Sequence, residues 1–105
     1  MKDKQHATYL SDITEETIRN FRENLQKQWK HVKKTAGYKK VVSELKEATK
    51  TASSKKLLLD EYRKSAIVLF RHTSIAMFPE DIAKNLLRQC AMIFMAADEI
   101  ENTKP

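Results

Sequence analysis

The sequence predicts an all-α protein, an antiparallel four-helix bundle, on three observations. Four stretches repeat apolar residues at steps of three and four, glycine occurs once, and proline occurs twice. An all-β domain needs turn residues every few positions, and this composition cannot supply them. A phosphate-cradling glycine loop is excluded for the same reason. With 105 residues the chain has the size of one domain around one core. We expect a single bundle over residues 1–105, with flexible ends at 1–11 and 101–105.

The first helix is expected to start near Asp12 or Thr14, where Asp12 followed by Glu15 resembles a capping box. Ile18, Phe21, Leu25, Trp29 and Val32 then share one face, and Gly37 is the expected stop. The second helix spans about Tyr38 to Thr51, with Tyr38, Val41, Leu45, Ala48 and Ala52 as its stripe and Val42 widening it. Thr51–Ser54 should break the helix, because Ser and Thr compete for backbone hydrogen bonds; Ser53 or Ser54 would cap the next one. One bent helix through this point is the alternative. The third helix is expected from about Lys55 to Ser74, with Leu58, Leu59, Tyr62, Ala66, Leu69, Phe70 and Thr73 on a face. Pro79 cannot continue it but suits the first turn of a fourth, where Glu80 and Asp81 favour the helix N-terminus. That helix would bury Ile82, Leu86, Leu87, Cys90, Ile93, Phe94 and Ala97 and fray into Glu101–Pro105. Isolated helices of this length are marginal in water, so the four faces must pack on one another.

Little here suggests catalysis. One cysteine excludes an internal disulfide framework and a cysteine-based zinc site, and fits a reducing compartment. His6, His31 and His72 are far apart, and none has a ligand partner at helical spacing on its own face. Glu80 and Asp81 are adjacent and diverge, and Cys90 falls on an apolar stripe as a small core residue. No catalytic residue, cofactor or metal ligand is therefore expected. The longest apolar run, Cys90 to Ala97, is eight residues, too short to span a bilayer. The first twelve residues hold no apolar signal core, so a cytoplasmic location, with or without membrane association, is the expectation.

Charge is unevenly placed. The formal net charge is +6, but residues 27–72 hold thirteen basic and four acidic side chains, while the flanking stretches are slightly acidic. Lys27, Lys30, Lys33, Lys34, Lys39 and Lys40 interleave with Trp29, His31 and Tyr38. Such a band can meet nucleic acid, an anionic membrane surface or an acidic protein; a solvated lysine face is the plain reading. Lysines without an arginine fork would give weak, salt-sensitive, non-specific nucleic-acid binding. Trp29 and Tyr38 fall on apolar stripes, which favours core over base stacking. Ile67, Met92 and Met95 fall off those stripes, and are expected to lie outside the core as a partner or homodimer surface.

Three stretches carry a family likeness: Tyr38-Lys39-Lys40-Val41-Val42-Ser43-Glu44-Leu45, the apolar segment Leu57 to Phe70, and Phe78-Pro79-Glu80-Asp81-Ile82 followed by Leu86-Leu87. Over about residues 37–93 the chain resembles the immunity proteins that protect lactic-acid bacteria against pediocin-like (class IIa) bacteriocins. The resemblance implies a non-enzymatic four-helix bundle. It would act from the cytoplasmic side on a mannose phosphotransferase permease that the bacteriocin has engaged. It also places specificity on the third and fourth helices and the hinge at Phe78–Pro79, with Ile67, Phe78, Met92 and Met95 as partner-binding residues. The competing expectations are a phage- or plasmid-type nucleic-acid-binding regulator and a dimeric helical adaptor.

Overall fold

The computed structural model describes residues 13–103, so Asp12 and His6 lie outside it. Four α-helices and one 3-10 turn follow in order: α1 (Glu15–Gln28), the turn (Lys30–Lys34), α2 (Ala36–Lys50), α3 (Lys55–Ile75) and α4 (Glu80–Asn102). The described residues contain no strand. The fold is the all-α bundle that the spacing predicts.

Most helix starts follow from hydroxyl caps. Thr14 Oγ1 accepts from the Thr17 N–H at 3.1 Å and opens α1, with Glu15 and Glu16 in its first turn. Thr35 does two jobs before α2: its hydroxyl donates to the Val32 carbonyl at 2.7 Å and accepts from the Tyr38 N–H at 3.3 Å. Ser54 Oγ accepts from the Leu57 N–H at 3.3 Å and starts α3. The break at Thr51–Ser54 therefore separates two helices, and the single bent helix is overturned. Pro79 sits one residue before α4 rather than inside its first turn, which Glu80 and Asp81 fill.

Gly37 corrects the sequence reading. It does not stop α1, which ends at Gln28, and it has no positive φ. It lies in the first turn of α2, where an added Cβ would stand 3.3 Å from Met92 Cε. Its missing side chain lets α2 approach α4 closely.

The core gathers on α4. From Cys90 to Ile100 this helix buries Cys90, Ala91, Met92, Phe94, Met95, Ala96, Ala97 and Ile100. It packs chiefly on α3 and on α2, and also touches α1 and the 3-10 turn. A helix with neighbours on several sides is apolar over a wide arc, not along one stripe. That is why Met92 and Met95, expected outside the core, are 3% and 4% exposed. Ile67 on α3 is likewise fully buried, whereas Leu69 and Ile82, expected inside, are exposed. Phe21 joins α1 to the core by meeting the rings of Phe70 and Phe94 at 5.0 and 5.1 Å.

A charged staple holds three helices together. Arg63 of α3 is only 3% exposed. Its Nε donates to Asp98 Oδ1 and its Nη1 to Asp60 Oδ1, both at 2.7 Å, and its Nη2 donates to Glu101. Asp98 of α4 also accepts from Arg22 of α1, through Nε at 2.6 Å and Nη2 at 3.0 Å. Among the described residues no buried side-chain nitrogen or oxygen lacks a partner, so the buried guanidinium is compensated. Arg63–Asp98 and Lys56–Glu101 pair lower numbers on α3 with higher numbers on α4, the order of an antiparallel hairpin. Glu101, expected in a frayed tail, is instead held in α4 by this staple.

Candidate functional site

Two surfaces stand apart from this well-satisfied interior. The first is the tip of the α3–α4 hairpin. Helix α3 stops at Ile75, the Ala76 N–H donates to the His72 carbonyl, and residues 76–79 cross to α4. Between Glu80 and Gln89 α4 buries no residue, unlike its second half. Met77 is 99% exposed, and Ile75, Phe78 and Ile82 are exposed beside it in the chain. Four large apolar side chains are thus exposed within eight residues of sequence around one turn.

Of the four residues expected to bind a partner, only Phe78 is at the surface; Ile67, Met92 and Met95 are packed in the core. Phe78 is 46% exposed. Ile75 and Met77 belong to neither expected stripe, and the sequence alone does not say whether an apolar residue between two helices is covered.

The second surface is the corner between α1 and α2. Lys27 closes α1, Lys30, Lys33 and Lys34 lie on the 3-10 turn, and Lys39 and Lys40 follow on α2. All six are exposed, and none forms an ion pair within the described residues. No acidic residue occurs between Glu23 and Glu44. The corner is held from below by Val32, fully buried, and by Tyr38 and Val42.

Neither aromatic of this band is free. Trp29 is half-buried, stacks on His31 at 5.9 Å and meets the edge of Phe70 at 6.5 Å. Tyr38 is buried, and its hydroxyl donates to Glu99 Oε1 at 2.5 Å and lies 3.3 Å from the Met95 carbonyl oxygen. Burial first, and then the carboxylate of Glu99, hold that phenol well above its ordinary range.

Cys90 is fully buried, and desolvation pushes its thiol up to about 11, which leaves it protonated at neutral pH. A groove of about 620 Å³ between α1 and α3 has Phe21 and Phe70 in its lining, with Asn20, Asn24, Arg71 and His72 beside them. Ser74 also borders it, but its hydroxyl donates to the Phe70 carbonyl at 2.9 Å. Among the described residues no three His, Cys, Asp or Glu side chains come together as a metal site. No helix there is long and apolar enough to cross a membrane.

Comparison with protein-family models, with curated proteins and with solved structures gives no match.

Proposed function

We propose that the protein is a non-enzymatic bacteriocin immunity protein of the pediocin-like type, acting from the cytoplasmic side on a bacteriocin-engaged membrane permease. The observation that supports this most is the apolar tip of the α3–α4 hairpin. It exposes Met77, Phe78, Ile75 and Ile82 at the hinge where the sequence resemblance puts specificity. Recognition moves from Ile67, Met92 and Met95 to these residues, because a side chain inside the core cannot meet a partner.

Replacing Met77 and Phe78 with Ser should leave stability within about 0.5 kcal/mol per site, since neither is part of the packed interior. In a bacteriocin-sensitive host the parent protein should protect against one or more pediocin-like peptides, and the M77S/F78S variant should lose that protection at equal abundance. A folded parent that protects against none of a broad panel would remove the reading. Full protection by the double variant would move recognition off the tip.

A nucleic-acid-binding regulator is the second reading, favoured by the exposure of all six lysines of the band. It requires tight binding to one duplex sequence at physiological salt, lost on charge reversal at Lys33, Lys34, Lys39 and Lys40.

A further inference from the structure

We infer that the α1–α2 corner is a docking surface for an anionic lipid bilayer. This goes beyond the immunity reading and does not depend on it. Six exposed lysines lie on three successive elements and form no ion pair among the described residues, in a stretch free of carboxylates. Five of the eleven other described lysines and arginines are paired, Arg22 and Arg63 with Asp98, Lys50 with Glu47, Lys56 with Asp60 and Lys84 with Glu80; what sets the corner apart is six lysines within fourteen residues that hold no carboxylate. Of the carboxylates bordering the corner, Glu99 lies beside Lys33 and Lys39 and already accepts the Tyr38 hydroxyl, and Asp98, near Lys33, is held by Arg22 and Arg63.

The chemistry of the corner favours lipid over nucleic acid. Its cations are all lysine, point charges without the planar fork that reads base edges and grips a phosphate with two bonds. The two nearest arginines in sequence on either side, Arg22 and Arg63, are held by Asp98. Stacking on single-stranded bases needs free aromatic faces. Tyr38 is buried, and Trp29 is engaged by His31 and Phe70. A bilayer surface asks for less: its smeared negative potential attracts any cluster of cations held within a Debye length, whatever their orientation.

The test is co-sedimentation of the full chain with vesicles of equal parts phosphatidylcholine and phosphatidylglycerol, against pure phosphatidylcholine. Binding is expected to the anionic vesicles alone and should weaken steeply as salt is raised. Each lysine near such a surface contributes about fivefold, so K33Q/K34Q/K39Q/K40Q should lower partitioning on the order of a hundredfold or more. Circular dichroism should show that variant folded, because all four side chains are exposed. M77S/F78S should bind vesicles like the parent. Equal binding to neutral vesicles, loss of binding in M77S/F78S, or retention in the four-lysine variant would each overturn the inference. So would a nanomolar, sequence-specific duplex complex that anionic vesicles cannot compete away. Failure to protect a host from bacteriocin leaves the vesicle result standing, so the two readings fail separately.

Discussion

Phe94→Ala is expected to destabilise the protein by about 3–5 kcal/mol, the usual cost of removing a buried aromatic ring. Phe94 is fully buried near the middle of α4. Its ring meets Phe21 at 5.1 Å, and the Arg22 guanidinium lies 5.6 Å from its centroid. Truncation removes apolar contacts and also one side of the site where α1 joins the hairpin. A domain of this size has about 5–15 kcal/mol of stability in total, so the variant should lie close to its unfolding threshold. Urea unfolding followed by far-ultraviolet circular dichroism gives the difference. A loss under 1 kcal/mol would mean that α1 is not seated on α4 through this ring. Leu86→Ala is a useful contrast: Leu86 is only half-buried in the first half of α4, and should cost about 1 kcal/mol.

Asp98→Ala should cost about 2–4 kcal/mol, through a different mechanism. Its two oxygens take three hydrogen bonds, two from Arg22 and one from Arg63. Arg63 is almost completely buried, and removing one carboxylate leaves a buried guanidinium with only Asp60 and Glu101. Arg22 is more exposed and can be rehydrated, so Arg22→Ala should cost only about 1 kcal/mol. If Asp98→Ala proves no worse than Arg22→Ala, the buried arm of the staple carries no net energy. Replacing Arg63 and Asp98 together by apolar residues should cost less than the sum of the two single changes, since neither charge is then left unpaired.

The sequence made the helices legible where local chemistry sets them. Ser54, the interruption at Thr51–Ser54, and the acidic start of α4 follow from caps and charges that act within a few residues. The α1–α2 connection was harder. Gly37 reads as a stop from sequence alone, but Thr35 caps α2, and the glycine instead lies against Met92, fifty-five residues away in the chain. The core of α4 was misread for a similar reason. A stripe assumes one buried face, and this helix has neighbours on several. The eight-residue apolar run Cys90–Ala97, rich in alanine, was the signal, because a helix apolar all round is a buried one. Arg63 could not be found by hydropathy, which treats every arginine as surface. Of the two exposed surfaces, the lysine band is visible as composition. The apolar tip is not, because Ile82 fits the periodicity of α4, and its exposure depends on which elements reach the first half of that helix.

The uneven burial of α4 divides one helix into two mechanical regimes. From Cys90 onward its backbone amides can exchange with solvent only through an opening that disrupts the core, at a free energy near that of global unfolding. From Glu80 to Gln89 nothing is fully buried, and fraying there leaves Arg63, Asp98 and Phe94 in place. Hydrogen exchange should accordingly step up in protection along α4 near Cys90. A partner that reshapes the hairpin tip on contact then works against the small opening free energy of a helix end. The exposed tip can then adapt while the packed half of α4 keeps its place.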